Sequence, residues 1–226
     1  MRRKIKILCV ADEVDLLVYS ISAKERFGDV DLILSAGDLP DEYLSFIVSM
    51  LNKPMVSVAG NHDSPDASAK HPLAGAGILE SASGRDRSGI GRLSFAVRRE
   101  AGLRILGLPG SMLYSGGPHQ YSDRDMSLRL AKLVPGILLR RLLGKRGADI
   151  ILAHSPPKGL RDGQDLPHRG FSSFPWLIKV AKPLYFVHGH VHVYDSRETR
   201  ECRLGDTRIV NVYGHRLLEI PVEENR

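Results

Sequence analysis

The chain predicts an α/β fold in which parallel strands are joined by helices, and three observations lead there. Short apolar runs of strand length alternate with segments of helical periodicity from the N-terminus to Val58. Most of those runs end in a cluster of Gly, Asp, Asn or His, the signature of a turn at a strand end. With 226 residues, 42% hydrophobic and 26% charged, the chain can bury a full core around such a sheet and is expected to form a single domain.

Lys4 to Val10 alternate and then become continuously apolar, as a strand entering a buried sheet does, and the run ends at Asp12. Leu16 to Phe27 have helical spacing with Gly28 as the stop. Asp31 to Ser35 form a second strand ending at Gly37-Asp38, Asp41 to Leu51 a second helix, and Pro54 to Val58 a third strand that delivers Gly60-Asn61-His62-Asp63. This βαβαβ opening implies parallel pairing with right-handed crossovers, so the loops after the three strands emerge on one edge. Ile90 to Val97 and Leu103 to Leu108 read as an antiparallel hairpin that begins a second sheet.

After a Gly/Pro-rich loop, Pro109 to Pro118, a helix starts at Asp123, breaks or kinks near Pro135 and ends in a basic run from Arg140 to Arg146. Asp149 to Ala153 is a strand leading into His154. Ser172 to Lys179 is a helix whose Trp176 is expected to pack in the core. Leu184 to Val187 ends at His188-Gly189-His190, and strands Thr207 to Tyr213 and Arg216 to Val222 close the chain.

The net charge of +6 and pI near 9.4 suit anionic partners, such as phosphorylated substrates or nucleic acid, as well as plain solubility. The basic run from Arg140 reads as a solvated helix end whose cations favour the helix C-terminus, with RNA or DNA contact as the second reading. Cys9 and Cys202 lack metal-ligand spacing and read as reduced thiols of a cytoplasmic protein. Met1-Arg2-Arg3-Lys4 is basic, but no signal-peptide core follows it. The longest apolar stretch, Gly136 to Leu143, is interrupted by Arg140 and Arg141 and too short to span a bilayer. A soluble, cytoplasmic protein without a membrane partner is expected.

Strand ends are where open α/β sheets hold ligands. That edge gathers Asp12, Asp38, Asn61, His62, His154, His190 and His192. Carboxylate, amide and imidazole ligands without thiolates suit Mn, Fe, Co, Ni or Zn. Seven such groups exceed the needs of one tetrahedral ion, so two ions sharing a carboxylate are expected, with Asp38 as the natural bridge.

Gly37-Asp38-Leu39-Pro40-Asp41, Gly60-Asn61-His62-Asp63, His154 and Gly189-His190-Val191-His192 together resemble the motif set of the calcineurin-like metallophosphoesterases. The resemblance implies a four-layer αββα sandwich of two mixed sheets flanked by helices, with a metal pair at one edge. By motif, Asp12, Asp38 and His192 would hold the first ion and Asp38, Asn61, His154 and His190 the second. A hydroxide between the ions would attack phosphorus in line. His62 would face the substrate as the catalytic histidine, and Asp63 would orient its ring.

One position departs from the family pattern. The first motif is normally Asp-x-His, whereas here Asp12 is followed by Glu13, Val14 and Asp15, and valine cannot bind metal. In extended chain Glu13 would point away from Asp12, so its use requires the backbone to turn; Asp15 could reach back instead. Either substitute makes the first site richer in oxygen, favouring Mn or Mg over Zn.

Around this centre, His168 and Arg169, with Lys158, lie in a polar loop that either contacts substrate or is merely solvated. His188 is expected to pack or hydrogen-bond and His215 to be structural. The expected function is a metal-dependent phosphoesterase acting on a phosphomonoester or phosphodiester, with a small molecule or nucleotide as substrate because few residues remain for a separate recognition module. The loop Pro109 to Pro118, with Tyr114 and the following His119, would shape that choice. Two alternatives stand beside it: a metal-binding scaffold with impaired catalysis, for which Val14 speaks, and a nuclease, for which only the positive charge speaks.

Overall fold

The computed structural model describes residues 4–64, 86, 88–195 and 199–221; Met1, Arg2, Arg3 and the expected strand end at Val222 lie outside them. Strand β1 (Lys4–Ala11), helix α1 (Ala23–Phe27), β2 (Leu32–Ser35), α2 (Asp41–Leu51) and β3 (Met55–Val58) form the βαβαβ opening. There follow β4 (Ile90–Leu93), β5 (Ala96–Glu100), β6 (Leu103–Leu108), the two-residue strands β7 (Ser111–Met112) and β8 (Gln120–Tyr121), and helices α3 (Asp123–Ala131) and α4 (Val134–Leu142). The chain continues through β9 (Ile150–Ala153), α5 (Ser173–Ala181), β10 (Tyr185–His188), β11 (Glu201–Leu204), β12 (Thr207–Asn211) and β13 (Gly214–Pro221).

Two mixed sheets result, one ordered β13-β1-β2-β3-β4 and the other β11-β12-β10-β9-β6-β5. Strands β1 to β4 run parallel, as do β6, β9, β10 and β12, while β13, β11 and β5 pair antiparallel with their neighbours. The inner faces of the sheets share one core, in which Ile7, Leu34 and Val56 of the first meet Ile105, Leu152 and Val187 of the second. Helices α1 and α2 cover the outer face of the first sheet through Phe27, Tyr43 and Ile47. Helices α3 to α5 cover that of the second through Met126, Ile137, Phe174 and Leu177. Two sheets between two helical layers make an αββα sandwich. None of the described helices is long and apolar enough to cross a membrane.

Four sequence expectations change. The helix expected from Leu16 is confined to α1, because Asp15 Oδ1 accepts from the Leu17 amide (2.8 Å) and Ser20 Oγ donates to the Leu17 carbonyl (3.1 Å), and such local bonds compete with helix. The expected strand Ile90 to Val97 is two strands in different sheets: β4 extends the first sheet beside β3, and the chain turns at Phe95 (φ +50°) so that β5 pairs with β6 in the second. Trp176 is not in the core; α5 buries Phe174, Leu177, Ile178 and Ala181, and the indole, on the other side of the helix, is 49% exposed. The edge strand β11, of mixed burial and without clean alternation, has no counterpart in the sequence expectation. Pro135, by contrast, does separate two helices and sits in the first turn of α4, where its missing N–H costs nothing.

Candidate metal centre

Every residue of the centre follows the C-terminal end of a parallel strand: Asp12 follows β1, Asp38 β2, Asn61 and His62 β3, His154 β9, and His190 and His192 β10. Parallel pairing within each sheet puts these ends on one edge, and the shared core brings the two edges together. Asp12, Asp38 and His190 adopt left-handed φ of +64°, +56° and +66°, a conformation that non-glycine residues enter at a cost and that clusters at functional sites. Two glycines leave room for the carboxylates. A Cβ on Gly60 would lie 2.0 Å from Asp38 Oδ1, and one on Gly189 would lie 2.4 Å from Asp12 Oδ2.

One ligand atom from each of Asp38, His154 and His190 falls within 4.8 Å of the others, and among the described residues no other trio of histidine, cysteine or carboxylate ligands converges as closely. His154 Nε2 lies 3.0 Å from Asn61 Oδ1 and 3.3 Å from Asp38 Oδ2, so the buried amide joins the trio. The imidazoles are oriented from outside. His154 Nδ1–H donates to the Ala36 carbonyl (2.7 Å) and His190 Nε2–H to the Pro167 carbonyl (2.7 Å); neutral His190 thus turns the Nδ1 lone pair inward, and His154 would turn its Nε2 lone pair inward once a cation displaces the proton there. The Asn61 amide is oriented too, since its Nδ2 donates to the Tyr114 hydroxyl (3.2 Å) and its oxygen therefore turns to His154.

Electrostatics match a site built for a cation. Burial works against charge on His154, but Asp38 and Asp12 outweigh it and push the imidazole up to about 9. Burial likewise opposes the Asp38 charge, yet His154 and the His62 amide, which donates to Asp38 Oδ1 at 2.8 Å, hold the carboxyl well below the usual range. Asp12 is pushed up to about 7, by burial first and by the Asp38 charge. His190 is pushed down to about 3, by burial first and then by His154. Inward-facing lone pairs that compete for one proton fit a divalent ion.

The remaining expected residues fall into two groups. Asp12 lies at the same edge, with both its oxygens accepting from the His190 amide (3.0 and 2.9 Å). His192 is exposed beside it, its Nδ1 2.9 Å from the Tyr194 hydroxyl and its ring 4.9 Å from that of Tyr213. His168 stands 5.1 Å from the His190 ring and 6.2 Å from that of His192, steered by Asp165 at 2.6 Å. His62 is exposed at the rim, and its ring has no hydrogen bond among the described residues.

Asp63 and Asp15 are not where the sequence expectation put them. Asp63 Oδ2 accepts from the main-chain amides of Gly60 (2.8 Å) and Asp38 (3.1 Å), so it ties two metal-edge loops together rather than orienting the His62 ring. Asp15 turns away, its Oδ2 2.5 Å from His215 Nδ1 and its Oδ1 on the Leu17 amide. Arg169 is exposed, as either expected reading of its loop allows. His188 is buried, with Nδ1 3.0 Å from the Gly189 oxygen, and burial pushes it down to about 4.

Two features escape a reading of the motifs alone. Val14 packs against the core beneath α1 and α2, while the left-handed turn at Asp12 breaks the alternation that would have pointed Glu13 away. Tyr213 is pushed up to about 12, by burial first and by the charge of Glu13 next, and the same charge acts on His192. Tyr114 is the other. It is held by Gln120, whose Oε1 accepts from the amides of Tyr114, Ser115 and Gly116 at 3.0 to 3.1 Å, and no short motif announces it.

The profile of the calcineurin-like phosphoesterase family matches residues 6–194. One solved structure superposes with a TM-score of 0.63 at 16% identity, covering 96% of this chain and 95% of its own. The protein TT1561 of Thermus thermophilus superposes with a TM-score of 0.58 at 16% identity, covering 94% of this chain and 90% of its own. No curated protein sequence matches the chain.

Proposed function

The chain belongs to the calcineurin-like phosphoesterase family, and from that premise we propose that it hydrolyses a small phosphomonoester or phosphodiester, a nucleotide among them, with two divalent ions of which manganese fits best. The observation that carries this reading is the convergence of Asp38, Asn61, His154 and His190 at one sheet edge, with His62 on the open rim. In this reading Asp38, Asn61, His154 and His190 hold one ion and Asp12, Asp38 and His192 the other. Glu13 takes the place of the absent imidazole.

Bound divalent ions lower the pKa of water and neutralise charge developing on phosphoryl oxygens. The side chains do the rest. The Ala36 and Pro167 carbonyls fix the imidazole tautomers, Asp63 fixes the distance between the Asp38 and Gly60 loops, and Tyr114 keeps the Asn61 oxygen inward. His62, exposed at the rim, donates a proton to the leaving oxygen or a hydrogen bond to the phosphoryl group. With His168, the exposed rings of His192, Tyr194 and Tyr114 form an aromatic border, which suits a substrate with a planar leaving group.

Hydrolysis of p-nitrophenyl phosphate and bis(p-nitrophenyl) phosphate by chelator-stripped protein, with Mn, Zn or Mg restored, tests the proposal. Turnover with Mn supports it. Stoichiometric metal without turnover on either ester or on nucleotides would favour the scaffold reading instead.

A further inference from the structure

We propose that the outer face of α4, together with Trp176 of α5, is a docking surface for an anionic lipid bilayer. Helix α4 buries Ile137 against the second sheet. At about 100° per residue, Leu138, Leu139, Leu142 and Leu143 fall on the opposite side, facing solvent. All four are exposed, Leu142 to 84% and Leu143 to 65%. Such an outward apolar arc on a helix that already has an inward one is not needed for folding.

Arg140 and Arg141 flank the arc, one on each border, by the same helical geometry. Trp176 and Lys179 are exposed on α5, which packs beside α4. Leucine with tryptophan on one face and arginine or lysine at its edges is the composition of helices that lie in a membrane interface.

Charge selects the lipid. Between Asp125 and Asp149 the sequence has six cations, Arg129, Lys132, Arg140, Arg141, Lys145 and Arg146, and no carboxylate, while the whole chain carries a net charge of +6. The excess positive charge of the protein is thus this segment's, and the rest of the chain is balanced. Among the described residues no carboxylate pairs with Lys132, Arg140, Arg141, Lys145 or Arg146. Arg140, Arg141 and Arg146 donate to the carbonyls of Arg146, Lys145 and Lys182, which holds the cations around the helix end.

Nucleic acid would satisfy the cations and leave the leucines in water. A second copy of the chain, paired about a two-fold axis, would cover the leucines but set like charges against each other. A bilayer of anionic lipid satisfies both, with leucines at the acyl boundary and cations at the phosphates. The contact is peripheral and needs no spanning segment, in keeping with described helices too short or too polar to cross a membrane.

Co-sedimentation of the full chain with phosphatidylcholine vesicles, with and without phosphatidylglycerol, tests this. Binding is expected only with phosphatidylglycerol, weakening as salt rises. The double variant Leu142→Ser/Leu143→Ser should lower the partition coefficient about tenfold or more, given what burying a leucine is worth. Lys132→Glu/Lys145→Glu should abolish the dependence on phosphatidylglycerol. Both variants should hydrolyse a soluble ester as the parent does, which checks folding. Equal sedimentation with both vesicles, or binding unchanged in both variants, overturns the proposal. So does self-association of the parent that the leucine variant loses, or RNA binding that only the charge variant loses.

Discussion

Asp15 and Glu13 separate two ways of replacing one missing imidazole. Asp15 is engaged with His215 and the Leu17 amide, so Asp15→Ala should leave the metal content unchanged and destabilise the fold by about 1–2 kcal/mol through lost hydrogen bonds. Glu13→Ala should do the reverse, reducing bound Mn from two ions per chain towards one in titration calorimetry with little change in stability. A loss of metal in the Asp15 variant and none in the Glu13 variant would reverse these assignments. His62 belongs to the same scale. Its ring has no hydrogen bond among the described residues, so His62→Ala should lower kcat by about 10²–10⁴-fold while elemental analysis finds the metal content intact; a fall in metal content would make it a ligand instead.

The residues that converge at the candidate metal centre, Asp38, Asn61, His154 and His190, were legible in the sequence because each is fixed by a short motif at a strand end. Their supports were not, since the Ala36 and Pro167 carbonyls and Tyr114 reach the site from separate loops. Asp63 shows the limit most clearly: its place beside His62 in the chain suggested a partner for that ring, but the turn aims its carboxylate at two main-chain amides.

Among the elements, β11 has the weakest sequence signal and an evident structural role. Glu201 on β11 accepts from Arg208 of β12 (2.6 Å) and from Arg216 of β13 (2.9 Å), so one carboxylate links the two sheets. Burial would raise the Glu201 pKa, but the hydrogen bonds from the two arginines outweigh it and hold it below the usual range. A carboxyl whose pKa is depressed on folding stabilises the protein above its unfolded pKa, and that contribution is lost as pH falls through the folded value. Glu201→Gln should therefore lower stability by up to about 1 kcal/mol at neutral pH, with the difference from the parent vanishing in urea melts taken below the ordinary glutamate range. A difference that persists there would mean the side chain acts through packing. The first expected helix failed at this same scale. Periodicity alone placed it from Leu16, whereas serine and aspartate side chains captured the backbone first.

For the whole molecule, the candidate metal centre lies where it would clamp the two sheets together. Asp38 and Asn61 follow strands of the first sheet, and His154 and His190 follow strands of the second. An ion bound there would join the halves at one edge, where ligand atoms of both sheets face each other. Stripping metal and then adding Mn at about 100 times its Kd should stabilise the fold by about 2.7 kcal/mol, a rise in Tm of roughly 5–11 °C for a chain of this size, and a chelator should reverse it. An unchanged Tm would mean that metal binds equally to the unfolded chain or not at this edge.

The sequence by itself determined the α/β class, the parallel opening and the ligand motifs, because hydrophobic period and strand-end turns are local properties written in consecutive residues. Only the tertiary structure decided that the apparent hairpin strand divides between two sheets, that Asp15 is engaged with His215 and the Leu17 amide, and that leucines of α4 face outward. Each depends on a backbone turn or on which face a neighbouring layer covers. Those are set by packing between segments far apart in the chain, which no local pattern encodes.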